Sequence, residues 1–148
     1  MTVHHAAIVT SNLARSLRFW RDGLGLAELM DHTFTGDWPT LFDATTDVLR
    51  SVFLGDPRSR DAGVVELVVF EDAEVVEDPM KAGSAPRTGF FLLSLQREVE
   101  PTLANLATLG FNDGVRRIAV RAPAGKTVQM AVITAPDGVR VELVGAPA

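Results

Sequence analysis

The sequence contains no cysteine. That absence excludes disulfide scaffolds, thiolate zinc sites, iron–sulfur clusters and cysteine nucleophiles, although it does not fix a compartment. Long hydrophobic runs are missing too, for none approaches the ~20 residues a helix needs to cross a bilayer. The opening stretch MTVHHAAIVTSNLARSL lacks a charged segment followed by an apolar run and a cleavage site, so it does not read as a signal peptide. Basic charge is scarce, with 14 Lys and Arg against 19 Asp and Glu and a net charge of −5, which leaves no footprint for a nucleic-acid backbone. The expectation is a soluble, cytoplasmic protein with neither nucleic acid nor membrane as a partner. What is present is a globular composition, 47% hydrophobic and 22% charged over 148 residues. That length suits one domain, or two small repeated halves sharing a core.

Residues 3–10 (VHHAAIVT) are rich in apolar side chains and read as a strand. Asn12 follows as an N-cap, and Leu13, Leu17 and Trp20 recur at helical spacing with Arg15, Arg18 and Asp22 on the other face. Gly23 and Gly25 end this helix. Residues 26–34 suit a second strand, residues 35–46 (TGDWPTLFDATT) are irregular, and residues 48–54 and 64–70 are two further strands. Residues 71–86 combine five acidic side chains with Pro, Gly and Ser and have the composition of a linker. The same order of elements then begins again. A strand over 89–95 precedes a helical stripe of Val99, Leu103, Leu106 and Leu109 that stops at Gly110. Strands over 115–121, 127–134 and 139–144 follow, the last two joined by the turn Ala135-Pro136-Asp137-Gly138.

The repetition is visible in the letters. Leu24-Gly25-Leu26 recurs as Leu109-Gly110-Phe111, and Val65-Glu66-Leu67-Val68 recurs as Val141-Glu142-Leu143-Val144. Two βαβββ modules, about 3–70 and about 87–146, account for this within a single domain over 1–148, and the fold class is α+β. Side chains alternate across a strand, so His5, Ala7 and Val9 share a face, while Glu66 and Glu142 face away from Leu67 and Leu143. With the leucines under the helices, both carboxylates lie on helix-free faces. If the two half-sheets curve together, His5, Glu66 and Glu142 converge in one cup. Pattern alone favours a plainer reading, because a polar residue alternating with Val and Leu is usually the solvated side of a half-exposed strand.

The run His5-Ala6-Ala7-Ile8, Asn12-Leu13, Ser16, Phe19-Trp20 and Leu24-Gly25-Leu26 resembles the opening module of the vicinal oxygen chelate superfamily. That superfamily includes glyoxalases, bleomycin-resistance proteins, methylmalonyl-CoA epimerases and extradiol dioxygenases. The ending Ala135-Pro136-Asp137-Gly138-Val139-Arg140-Val141-Glu142-Leu143 is similar to its closing motif. The resemblance implies a glyoxalase-like, eight-stranded cup-shaped sheet for a small-molecule ligand, and a homodimer. It also implies metal ligands on the first and last strands of each module, here His5, Glu66 and Glu142. The fourth ligand, commonly His, falls where this chain has Phe90, or Phe91 in the adjacent register, and neither binds a metal. One imidazole and two carboxylates suit Zn, Ni, Mn, Co or Fe with open positions. A facial two-histidine iron site is not available, because His4 and His32 fall at no ligand position. Without a cation, two carboxylates converging in an apolar cup repel, so the cup is wet or one Glu is a protonated acid or general base.

Arg50 is a candidate for reaching into the cup to hold a substrate carboxylate, and Trp38 with Phe42 for a lid over an apolar or aromatic ligand. Phe90, Leu92 and Ser94 would add a mostly apolar wall. The resulting expectation is a metal-assisted lyase, isomerase or epimerase on a small carbonyl substrate, with Glu66 and Glu142 as the catalytic carboxylates. The alternative is a metal-free protein of the bleomycin-resistance type that sequesters a small aromatic compound. A ring-cleaving dioxygenase ranks third, weakened by the missing second histidine.

Overall fold

The computed structural model describes residues 1–77, 85–86 and 88–146. Residues 78–84 of the expected acidic linker, and residue 87 at the expected start of the second module, lie outside them. The chain divides into two compact units, Met1–Glu77 and Asp78–Ala148.

In the first unit, β1 (His5–Val9) leads into α1 (Leu13–Leu17). The Asn12 side chain caps this helix by accepting from the Arg15 amide at 3.0 Å, as the sequence indicates. The helix widens into a π-helical turn over Arg18–Gly23, and Gly25 leaves it at φ +75°, a left-handed conformation that suits glycine. Then come β2 (Ala27–Thr35), α2 (Trp38–Phe42), β3 (Val48–Gly55) and β4 (Val64–Phe70). The strand order is β1-β4-β3-β2, with β1 parallel to β4 and the remaining pairs antiparallel. Phe19, Trp20, Val52, Leu54 and Leu67 are fully buried and form the core. Between β1 and α1, the Thr10 and Ser16 hydroxyls meet at 2.7 Å, which pairs two polar groups that the core would otherwise strand.

The second unit repeats the plan with β5 (Leu93–Gln96), α3 (Val99–Thr108), β6 (Arg116–Arg121), β7 (Thr127–Thr134) and β8 (Arg140–Val144). Its strand order, β5-β8-β7-β6, matches the first unit, again with the first strand parallel to the last. Leu103 and Leu106 of α3 are buried, as are Ile133, Val141 and Leu143, so the helical stripe covers the sheet face that carries the leucine of each Val-Glu-Leu-Val motif. No helix among the described residues is long and apolar enough to cross a membrane.

Because Leu67 and Leu143 occupy matching fully buried positions, truncation to alanine at either should destabilise by about 2–5 kcal/mol. Urea denaturation of each variant measures this. A cost well below that range at Leu143 alone would mean that the second sheet does not carry its own core.

Candidate functional site

The site starts from strand register. Pairing of β1 with β4 sets His5 opposite Val64 and Ala7 opposite Glu66. One strand further, β3 sets Phe53 opposite Glu66 and Ser51 opposite Val68. Opposed residues share a face, as do alternate residues along a strand. His5, Ser51, Phe53 and Glu66 therefore share one face, and Val52, Leu54 and Leu67 occupy the other.

On that face the polar atoms meet. His5 Nε2 lies 3.1 Å from Glu66 Oε2, and the Ser51 hydroxyl donates to Glu66 Oε1 at 2.6 Å. Ser51 and Glu66 are buried, and both carboxylate oxygens have partners, which is the condition for a buried charge to be tolerated. On the other side of the ring, His5 Nδ1 lies 2.7 Å from His4 Nδ1, so one of the two must carry the hydrogen. When His4 carries it, His5 Nε2–H donates to Glu66. When His5 carries it, a bare Nε2 lone pair faces a carboxylate oxygen, an arrangement that demands a proton or a cation between them. Phe53 packs edge-on against the His5 ring at 5.6 Å.

Trp38 lies at the far end of the same face. Residues 35–46 are not wholly irregular, because Asp37 caps α2 by accepting from the Thr40 amide at 3.2 Å and Pro39 sits in its first turn. Trp38 stacks on Phe42 at 5.8 Å, and Phe42 meets Phe70 edge-on at 6.4 Å. Phe70 alternates with Val68 and Glu66, so the aromatic cluster borders the Glu66 face. His32 shares this face too, opposite Ser51, with its ring 4.5 Å from Phe34.

Arg50 does not reach this face. It alternates with Val52 and Leu54 on the opposite side of β3, and there it grips Asp31 with two hydrogen bonds of 2.9 and 2.7 Å. That guanidinium holds the Asp31 carboxyl below its ordinary value, and Asp31 in turn raises the Arg50 pKa. The expectation that Arg50 holds a substrate carboxylate beside Glu66 is therefore corrected by strand alternation.

In the second unit Glu142 stands opposite Ser94, whose hydroxyl donates to Glu142 Oε2 at 2.7 Å. Register also moves the fourth ligand position. Val141-Glu142 of β8 matches Val65-Glu66 of β4, and counting one residue back from the Leu93–Val141 pair brings the position equivalent to His5 to Leu92, just before β5. Leu92, rather than Phe90 or Phe91, thus holds the place that His5 holds in the first unit. Phe90 is exposed, and Phe91 packs against Arg140, whose guanidinium lies 4.9 Å from the ring centroid. Among the described residues no three His, Asp or Glu side chains gather as a metal cluster. The sequence-derived residues that come together are His5 with Glu66. Glu142 has Ser94.

The sequence does not link the Ser51 and Ser94 hydroxyls to their carboxylates; only the strand register does, setting Ser94 against Glu142 and Ser51 against Val68, two residues along β4 from Glu66.

Comparison with known proteins gives a consistent frame. Residues 2–143 match the family model described as the Glyoxalase/Bleomycin resistance protein/Dioxygenase superfamily. Lactoylglutathione lyase-like protein terB of Aspergillus terreus is 37% identical over 150 residues, covering 98% of this chain and 75% of that protein. Among solved structures, a glyoxalase family protein from Bacillus cereus has a TM-score of 0.70 at 12% identity, covering 98% of this chain and 93% of its own. The trypanothione-dependent glyoxalase I of Leishmania major has a TM-score of 0.60 at 21% identity, covering 98% of this chain and 86% of its own. The two structures speak to the fold.

Ser51→Ala should cost about 1–3 kcal/mol, because it leaves a buried carboxylate oxygen without its donor. Arg50→Ala should cost no more than about 1 kcal/mol, since the pair it breaks is partly exposed. Asp31 titrates below its ordinary range when folded, so its small contribution is present above the unfolded value and lost as pH falls through the lowered one. Urea titrations of both variants at neutral pH and near pH 3 check the ranking. A larger loss for Arg50→Ala than for Ser51→Ala would contradict the assignment of faces.

Proposed function

The chain belongs to the Glyoxalase/Bleomycin resistance protein/Dioxygenase superfamily, and from that premise we propose a metal-assisted lyase or isomerase acting on a small substrate with a carbonyl and a neighbouring oxygen. The observation that carries this reading is the pairing of the exposed His5 Nε2 with Oε2 of the buried Glu66, 3.1 Å apart. An imidazole nitrogen and a carboxylate oxygen turned toward each other form a donor pair of the type that a borderline or hard divalent ion accepts, such as Zn, Ni, Mn, Co or Fe. His5 and Glu66 would hold the ion, and Glu142 enters the ligand set from the family resemblance alone. When bound, the ion supplies Lewis-acid polarisation of the carbonyl, worth several kcal/mol of charge stabilisation. The lactoylglutathione lyase-like relative supports lyase over isomerase chemistry.

The chain's own groups prepare that site. Ser51 occupies Glu66 Oε1, so Oε2 is the oxygen left to face His5. A hydrogen on His5 Nδ1, shared with His4, frees Nε2 as a donor atom. Phe53 packs edge-on against the imidazole. Ser94 engages Glu142 Oε2, which leaves Oε1 to take a proton from the carbon beside a substrate carbonyl. A second reading, a metal-free binding protein for a small aromatic compound, is favoured by one observation: Leu92 stands where a second ligand strand would need a donor.

Elemental analysis separates the two. The purified protein, incubated with each of the five ions and desalted, should retain about one equivalent, as a single site does. His5→Ala and Glu66→Gln should each lose it. No retained metal in the parent protein, with circular dichroism unchanged, would remove the metal-assisted reading and leave the binding protein.

A further inference from the structure

One row of side chains in the second unit crosses four strands. Ser94 lies opposite Glu142, Glu142 opposite Val132, and Val132 opposite Arg116 of β6. All four share a face, with Arg116 and Glu142 two strand spacings apart, roughly 10 Å between backbones. Arg116, Ile118, Met130, Val132 and Glu142 line a cavity of about 130 Å³. Its lining is mostly apolar, and the register sets Glu142 and Arg116 on either side of Val132 along the row.

Arg116, like Arg15 and Arg121, makes no ion pair among the described residues, whereas several other arginines do. Arg117, the next residue, points to the other face and pairs with Glu100 at 2.8 Å, and Arg21, Arg50 and Arg58 each hold an acidic partner. Among the described residues no carboxylate lies within ion-pair distance of Arg116. The fold does not require a charge there. In the first unit the corresponding row runs Ala7, Glu66, Phe53, Met30, so the position that matches Arg116 is apolar. A charged residue on an edge strand also discourages edge-to-edge pairing, but any long charged side chain serves that purpose.

We propose that Arg116 is the anion-binding residue of this site and selects a small, flat, apolar carboxylate that bears a hydroxyl or enol at its far end. The carboxylate accepts from the guanidinium, preferably through two parallel bonds, since a planar fork matches a planar carboxylate. The hydroxyl donates to Glu142 Oε1, the oxygen that Ser94 does not engage. Met130, Val132 and Ile118 take the apolar body. That the bound molecule is a substrate rests on the lyase or isomerase reading above, but its binding does not.

The test uses 4-hydroxybenzoate as probe and 4-hydroxybenzamide as its uncharged counterpart, titrated into chelator-treated protein by two-dimensional amide NMR. The benzoate should shift signals of residues 116–118, 130–132 and 142, and the benzamide should bind at least about tenfold more weakly, the loss of one charge-assisted pair. Arg116→Gln should weaken benzoate by a similar factor and leave benzamide unchanged. Arg116→Lys, which keeps the charge without the fork, should fall between. Equal binding of the two probes, unchanged benzoate binding in Arg116→Gln, or shifts confined to other residues would each overturn the proposal. Because the titration needs no metal, its failure leaves the metal-content result standing, and the reverse also holds.

Discussion

The site depends first on the parallel pairing of β1 with β4. That register puts His5 two residues before the partner of Glu66, on the same face, and lets an imidazole and a carboxylate from distant parts of the sequence approach to 3.1 Å. Strand pairing admits only two outcomes for such a residue. A slip of one position would turn Glu66 toward the core that Leu67 now fills, where a carboxylate would lose both its partners. The buried leucine thus enforces the position of the glutamate beside it. The second unit uses the same device, with Leu143 buried and Glu142 turned to meet Ser94.

The two units share a plan and differ in their chemistry. Each brings a serine hydroxyl to its glutamate, but Ser51 comes from β3 and Ser94 from β5. Where the first unit has His5 the second has Leu92, and where the second has Arg116 the first has Met30. The first unit is equipped with donor atoms and the second with an acceptor, an apolar floor and a fixed positive charge.

Much of the fold was legible in the letters because it is written twice. The Val-Glu-Leu-Val motif and the Leu-Gly-hydrophobic helix ends mark both units, and β4 and β7 fall on the expected residues. His5 and Glu66 were legible because alternation along one strand, together with the family resemblance, needs no knowledge of the neighbouring strand. Arg50 was misplaced for the complementary reason. Its strand carries Ser51 as the buried polar residue on the Glu66 face, and charge alone does not tell which face of β3 Arg50 occupies. The five-residue α2 is too short to show helical periodicity, and Asp37 with Pro39 is its only local signature. The fourth ligand position shifted from Phe90 to Leu92 because only the pairing of β5 with β8 counts residues back from Glu142.

Metal-assisted chemistry requires the face carrying His5, Ser51 and Glu66 to be a ligand site rather than a solvated side of a sheet. Anomalous diffraction from crystals soaked in cobalt chloride tests it most directly. A single strong peak bonded to His5 Nε2 and Glu66 Oε2 is expected, with Ser51 still donating to Glu66 Oε1. A map with no peak there, and His5 still hydrogen-bonded directly to Glu66, would contradict it.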